Sequence, residues 1–425
     1  GDGLPSGILG LDRATIDDAA TAATVILIGP DLKEELPVLY LRLRDAAEKK
    51  RTRIIEFSTL ETGMSPYAWK SLRYEPGSQQ AVVAKALADT DIAEQIASGN
   101  VVVVAGRANL AESAEATVAA LQTVLDGCPG ATVLPALRRG NVVGALSVGL
   151  APADADHDGL ATLRAAAEGR LELLVLLGAD PLNDCPDADL ARRAIAGARR
   201  VLAIDTFPSE STQHADVVLA ASAYGEKAGT TTNLEGRVTT LAQQVTATGT
   251  SRPDWMIAVE LGLMIGAHSF GADHPLRGVS TVDDVTALVA ATVPGFAAVT
   301  LDALRDEPNG VLSAPHQAAL GEVSFSAPGR NSYDYRLVVS RKLYDRAVGT
   351  QMSRSLINLA PGSAVHVHPL DLDSLGVSDG DDVKIVSAKA ASVLPIAANN
   401  RVPRGVVWSP FNQGGGTIED IVDGG

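Results

Sequence analysis

The stretch YGEKAGTTTNLEGRV, residues 224–238, sets three threonine hydroxyls and an asparagine amide among glycines, directly after the apolar run ADVVLAASA. Small residues with short hydrogen-bonding groups either face a flat polar ligand or satisfy the backbone of a tight irregular turn. Three glycine turns are the next candidates: Gly29 in VILIGPD, Gly106 in VVVVAGR and Gly178 in LLVLLGAD. Each allows close backbone approach at the carboxyl end of a strand, where doubly wound sheets hold ligands. His366 and His368 in VHVHP alternate, which on a strand places both on one face at a spacing compatible with a metal; with no third ligand in view they read as surface or packing histidines. Cys128 and Cys185 form no C-x-x-C and cannot by themselves supply a zinc or cubane site, so both read as buried small hydrophobes.

The elements that must carry these residues follow one grammar. A β-branched run, a glycine-led turn and a helical pattern recur in ATVILIGPDLKEELPVLYLRLRDAAEKK, NVVVVAGRANLAESAEATVAALQTVLDG and LELLVLLGADPLNDCPDADLARRAIAGA, each followed by another apolar strand (TRIIEF, ATVLPAL, RVLAIDTF). Runs without alternation predict strands covered on both faces, hence an α/β fold of parallel sheets wrapped by helices. Residues 306–334, rich in Pro, Gly, Ser and Asn, read as a linker, and the short β-rich segments beyond it as a compact β-barrel. The expected division is 1–97, part of a first Rossmann-like domain; 98–305, a second; 306–334, the linker; and 335–425, the barrel.

A chain of 425 residues exceeds one hydrophobic core. Thirty-five basic against 51 acidic residues give a net charge of −16, which repels a polyphosphate backbone and argues against nucleic acid as a partner. The apolar stretch WMIAVELGLMIGA, Trp255 to Ala267, is shorter than the ~20 residues of a bilayer crossing. The opening GDGLPSGILG reads as mid-domain, the carboxyl-terminal piece of a longer polypeptide.

Taken together, GADPLND, DTFPSESTQHADVVLAASAYGEKAGTTTNLEGRV and the tail from SRKLYDRAVGTQMSRSL to HPLDLDSLGVSDGDDVKIVSA resemble the molybdopterin oxidoreductase family, and within it the large iron-sulfur subunits of bacterial NADH-quinone oxidoreductase, respiratory complex I. The resemblance implies two Rossmann-like domains and a double-psi β-barrel closing over paired pterin dinucleotides. It places Gly29, Gly178 and Asp180 at diphosphate turns and Asp205 and Thr206 at a guanine-ribose end. Glu226, Gly229, Thr230, Asn233 and Arg237 would lie along the cofactor floor, Asn141 in RRGNVVGAL facing the pterin, with Arg341 as a further contact.

The residues also depart from that pattern. The first turn sets Asp31, Glu34 and Glu35 against Lys33, and the third adds Asp180 and Asp184, where a diphosphate needs charge-assisted donors. Where the family commonly has Asp-Pro-Arg, this chain reads EFST, Glu56 to Thr59. The expectation is therefore a vestigial site: no catalytic residue, no metal and no cofactor in these positions. Iron-sulfur clusters would belong to an absent amino-terminal segment, FMN to another part of the complex, and molybdopterin to neither. The implied role is a scaffold among other peripheral-arm subunits, on the cytoplasmic side of the bacterial inner membrane. Two rivals stay open: an active bis-molybdopterin oxidoreductase of formate dehydrogenase type, in which Asp205, Thr206, Asn233 and Arg341 hold the cofactor, and a plain nucleotide module using VILIGPD, which lacks G-x-G-x-x-G.

Overall fold

The computed structural model describes residues 3–152, 157–327, 329, 335–416 and 418–422. The chain divides into two compact units, Gly1–Arg139 with Pro315–Gly425, and Gly140–Ala314.

The first unit opens with a five-stranded sheet. Strands β1 (Thr24–Ile28), β2 (Arg53–Ser58), β3 (Lys70–Arg73), β4 (Val101–Ala105) and β5 (Thr132–Pro135) lie in the order β3-β2-β1-β4-β5, all parallel. Every residue of β1 and β4 is buried, as their unbroken apolar runs predict for strands with helices on both faces. The helices are delimited by local chemistry. Thr15 and Asp18 close a capping box on Ile16–Thr21, Ser113 caps Ala114–Gly127, and Pro37 stands in the first turn of Pro37–Glu48. The order reverses between β1 and β4, so the switch point lies at Gly29 and Gly106. A Cβ on Gly106 would stand 2.6 Å from the Ala136 carbonyl oxygen and 3.0 Å from Pro30 Cδ. Gly106→Ala is expected to cost about 1–3 kcal/mol, as overpacking does where backbone must move; an unchanged urea midpoint would contradict this.

This pairing corrects the expected boundary after residue 97. β4 bonds to β1 and β5 to β4, so both complete the first sheet instead of starting a second, and the unit boundary falls after Arg139. The repeated strand-glycine-helix grammar is the same whether a strand joins an existing sheet or founds a new one; pairing alone decides.

The second unit holds a three-stranded parallel sheet, β6 (Leu174–Leu177), β7 (Val201–Asp205) and β8 (Val217–Ala220), in sequence order. Helices Gly159–Ala167 and Ala188–Gly197 cover one face through Ala166 and Ala194, which pack on Leu174, Leu176, Val201 and Ala203. A small antiparallel sheet follows: β9 (Gly229–Thr232), β10 (Arg237–Leu241) and β11 (Val311–Leu312).

The carboxyl-terminal part of the first unit contributes β12 (Arg336–Ser340), β13 (Val365–Val367), β14 (Asp382–Val386), β15 (Ala391–Ala398) and β16 (Val406–Pro410), a mixed sheet ordered β12-β16-β13-β15-β14. Val339, Val365, Val367, Leu394 and Phe411 form its core, joined by Leu110 from the parallel-sheet part. Among the described residues these five strands form one paired series, the carboxyl-terminal sheet domain of the expected fold.

The expected linker at 306–334 is built into the units. Val311–Leu312 pair with β10, while His316 N–H donates to Leu9 O and Gln122 to Gly321 O. Gly7 and Gly10 make room for this strap: a Cβ on either would lie 2.3 or 2.1 Å from a carbonyl oxygen of Ala319 or Ala318. Residues 328 and 330–334 lie outside the described residues.

Candidate functional site

In the first unit, a cavity of about 290 Å³ opens at the carboxyl ends of β1 and β2. Gly29, Asp31 and Glu34 line it from the first turn, Ser58 to Thr62 from the end of β2, and Arg341, Lys342, His366, Arg401 and Trp408 from the carboxyl-terminal domain. Only Gly29 and Arg341 of these were expected contacts. The others are drawn from stretches scattered between Asp31 and Trp408, and nothing local in the sequence brings these stretches together.

The charges of this lining cancel internally. Asp31, Glu34 and Glu61 face Arg341, Lys342 and Arg401, three of each sign. Lys342 Nζ donates to Glu34 Oε1, and the Leu343 N–H donates to Glu34 Oε2 at 3.1 Å. Arg341 stacks its guanidinium 4.7 Å from the Phe411 ring centroid. His366 packs on Trp408 with centroids 4.5 Å apart, while Trp408 Nε1–H donates to Ser340 Oγ at 2.7 Å. Burial first, then Lys342, pushes the His366 imidazole below its ordinary value, which keeps it neutral at pH 7.

Asp31 is a cap turned into the cleft. Its carboxylate accepts from Lys33 N–H at 3.0 Å and Gly63 N–H at 3.1 Å, yet burial outweighs these bonds and raises its pKa above 3.8. A carboxyl raised on folding holds its proton more tightly in the folded state. It therefore subtracts stability as pH rises from about 3.8 through the folded value. Asp31→Asn keeps a side-chain oxygen for the cap and removes this titration, so its urea midpoint should gain on the wild type as pH is raised from about 4 toward neutrality. A constant difference across that range would contradict the assignment.

At the place of Asp-Pro-Arg, the chain has internalised its carboxylate. Glu56 is fully buried and accepts from the Thr62, Ser65 and Ser71 hydroxyls, the Ser65 bond being 2.6 Å, with Arg73 Nη1 at 3.5 Å. Ser58 accepts from Arg73 Nη1 at 3.0 Å. These groups bond one another across β2 and β3.

The remaining expected contacts lie in the second unit, where most serve the chain itself. Gly178 takes φ +56° with open space beside its Cα, and its N–H donates to Ile204 O. Asp180, 4% exposed, accepts from Ser211 N–H at 3.0 Å, the Ser211 hydroxyl and Asn183 at 2.7 Å, which ties the turn after β6 to the turn after β7. Asp205 Oδ1 accepts from Thr206 N–H at 2.7 Å; burial first, then Asp180 and Asp254, raises its pKa. Thr206 lies in that same turn. Asn141, in the left-handed region at φ 64°, accepts from Thr232 N–H at 2.9 Å, and Gly144 leaves room for this contact.

The threonine-rich loop is a hairpin. Gly229 and Thr230 sit in β9 opposite Leu241 and Thr240, and Asn233 Oδ1 accepts from the N–H groups of Glu235 and Arg237 across the turn. Arg237 donates to Glu235 at 2.7 Å and to Gly310 O, while Glu226 accepts from Ala223 N–H and Thr248. Glu226, Asn233 and Arg237 thus bond to neighbouring groups of the chain.

The two histidines of VHVHP do not act together. His366 packs on Trp408, and His368 Nδ1 accepts from Leu370 N–H as the cap of Pro369–Leu375. Cys128 and Cys185 are buried free thiols. Among the described residues, no group of three or more His, Cys, Asp or Glu is placed to hold a metal ion, and no helix is long and apolar enough to cross a membrane.

Two family models match the chain: molybdopterin oxidoreductase over residues 11–263, and the molydopterin dinucleotide binding domain over 335–424. The NADPH-Fe(3+) oxidoreductase subunit alpha of Geobacter sulfurreducens is 24% identical, with 99% of this chain and 57% of that protein covered. A subunit of the NADH-quinone oxidoreductase of Rhizobium meliloti is 26% identical over 91% of this chain and 52% of its own length. The F420-dependent formate dehydrogenase 1 subunit alpha of Methanococcus maripaludis is 23% identical over 67% and 48%. The chain spans about half the length of these relatives. Among solved structures, acetylene hydratase from Pelobacter acetylenicus has the same fold, with a TM-score of 0.65 at 12% identity over 99% of this chain and 76% of that one.

Proposed function

Because the chain belongs to the molybdopterin oxidoreductase family, we propose that it is the molybdopterin-fold part of the large iron-sulfur subunit of a proton-pumping NADH:quinone oxidoreductase, and that its task there is structural. In this reading an amino-terminal segment outside these residues relays electrons through cysteine-ligated clusters from FMN toward quinone. The described fold braces that segment among the other peripheral-arm subunits, on the cytoplasmic face of the bacterial inner membrane. The relatives named as NADH-quinone oxidoreductase subunits support it.

One observation carries the reading: the charges lining the cleft cancel three against three, with Lys342 already neutralised by Glu34. A pair of pterin dinucleotides brings about four phosphate charges, and desolvating them requires cationic donors that are not already paired. The even balance of charge along the lining is what weighs against a fit to that group. No catalytic step is assigned to this chain.

The second reading, a molybdenum-loaded oxidoreductase, is favoured by one feature. Asp205 directs a single oxygen to its own turn, and its other oxygen has no hydrogen bond among the described residues, as a guanine acceptor would require. Asp205→Ala in the assembled enzyme separates the two. The scaffold role predicts NADH:quinone turnover within about twofold of wild type, since no step passes through Asp205. A drop of about tenfold or more, which corresponds to 1.4 kcal/mol, with the complex still assembled would reject it.

A further inference from the structure

One turn of the second unit joins a residue that the fold demands to one that it leaves free. Gly310 is buried, at φ +88°, and a Cβ there would stand 2.5 Å from Val238 O and 2.6 Å from Thr239 Cγ2. Only glycine lets this backbone lie so close to β10. The Gly310 N–H donates to Glu307 O at 2.8 Å, which closes a turn with Pro308 in its second place, and the Gly310 carbonyl accepts from Arg237 Nη1 at 3.2 Å. β11 starts at the next residue and pairs with Arg237 and Val238.

The residue before it is under no such constraint. Asn309 is exposed, and its amide makes no hydrogen bond among the described residues. Other asparagines are held. The side-chain oxygens of Asn100, Asn141, Asn233 and Asn399 each accept from a backbone N–H, and Asn109 both donates to and accepts from β12. Asn309–Gly310 is also the only Asn-Gly pair in the sequence. A side chain on the residue after an asparagine screens that residue's nitrogen from the asparagine amide carbon, and glycine has none. A free amide and an accessible following nitrogen therefore coincide at Asn309.

We propose that Asn309 is a self-modification site at which the chain records its age. Glu307, Pro308 and Asn309 are all exposed at the end of the short helix Leu301–Asp306, a segment that can open locally and release Gly310 N–H from Glu307 O. The Gly310 nitrogen gives up its proton and attacks Asn309 Cγ. The new C–N bond closes a succinimide ring, and the side-chain nitrogen takes up the proton and leaves as ammonia. Water then opens the ring at either carbonyl, giving aspartate, or isoaspartate in which the chain runs through Cγ. Water is the one co-reactant. Both products add a negative charge beside Asp306 and Glu307, at the helix carboxyl end where the dipole disfavours it. Isoaspartate also inserts a methylene ahead of Gly310, which moves its N–H off Glu307 O and strains the pairing of β11 with β10. The older the molecule, the weaker the third strand on its threonine-rich hairpin. The proposal does not rest on what the cleft of the first unit holds.

Ageing the full-length polypeptide in mildly alkaline buffer tests it, with peptide mass spectrometry at each time point. Asn358 is the control: it is exposed and makes no hydrogen bond among the described residues, but is followed by Leu359. The expected result is conversion of Asn309 to acid at least about tenfold faster than Asn358, through the missing Cβ of Gly310, and faster still as pH rises. Enzymatic carboxyl methylation should find isoaspartate among the products, which direct hydrolysis of the amide does not give. Amide exchange at Val311 and Leu312 should be faster in aged than in fresh protein, and Asn309→Gln should age without either change. Equal rates at Asn309 and Asn358, aspartate without isoaspartate, or conversion confined to urea-unfolded protein would each overturn the site. Unchanged exchange at Val311 and Leu312 in fully converted protein would overturn its effect on β11. None of these readouts involves metal, pterin or turnover, so failure here and failure of the scaffold role are distinguishable.

Discussion

Glu56→Ala is expected to destabilise the first unit by about 3–5 kcal/mol, the range for removing one partner from a buried charged network. The carboxylate is fully buried, and three hydroxyls with one guanidinium point at it. Removing it leaves Thr62 and Ser65 without their acceptor and Arg73 without its counter-charge, while β2 gains a void between β1 and β3. Glu56→Gln keeps an oxygen for part of the network and should cost less than half as much. Trp69, stacked under Arg53 and beside Lys70 at the start of β3, supplies a local fluorescence probe for urea unfolding. A midpoint shift at constant slope reads the loss directly. A Glu56→Ala loss below about 1 kcal/mol would mean that the network is ornamental.

The second large effect joins the two parts of the first unit. Arg138, just after β5, pairs with Asp345 at 3.1 Å; their side chains are 14% and 1% exposed. Asp345 also accepts from Ala347 N–H at 3.0 Å, which orders the chain after β12. Arg138→Ala leaves a buried carboxylate uncompensated and should cost about 3–5 kcal/mol. Replacing both partners, Arg138→Met with Asp345→Leu, should lose clearly less than the sum of the two single changes, since an apolar pair has nothing to desolvate. The four urea midpoints form a double-mutant cycle, and strict additivity would contradict direct coupling.

How far these features could be read in advance depends on the distance over which they are determined. β1 and β4 were legible as doubly covered strands because each run is apolar at every position and every position is buried. LVLL in β6 looks the same in sequence but alternates between buried and exposed. Among the described residues its second face is exposed, which composition cannot signal. The boundary after residue 97 failed for a related reason, since pairing of β4 with β1 is a long-range choice.

The site divides along the same line. The hairpin of the threonine-rich loop and the cap at His368 follow from residues within four positions of one another. The loss of Asp-Pro-Arg was visible in EFST, and the inward turn of Glu56 depends on hydroxyls within 15 positions. The pairing of Glu34 with Lys342 spans 308 positions and emerges only from tertiary structure. Acidic residues in the first turn raised the question of phosphate binding; of these, Glu34 is paired with Lys342 across the cleft.

The proposed role stands on a cleft whose lining carries three charges of each sign and so offers no net attraction to an anionic pterin pair. The direct measurement is molybdenum and tungsten by mass spectrometry, with released pterin by fluorescence, on the full-length polypeptide purified from cells that supply the cofactor to other enzymes. The expected content is well below about 0.1 metal atom and about 0.1 pterin per polypeptide, an order-of-magnitude bound set by a lining whose charges balance. One metal and two pterins per polypeptide, lost when Asp205 and Arg341 are replaced, would contradict it.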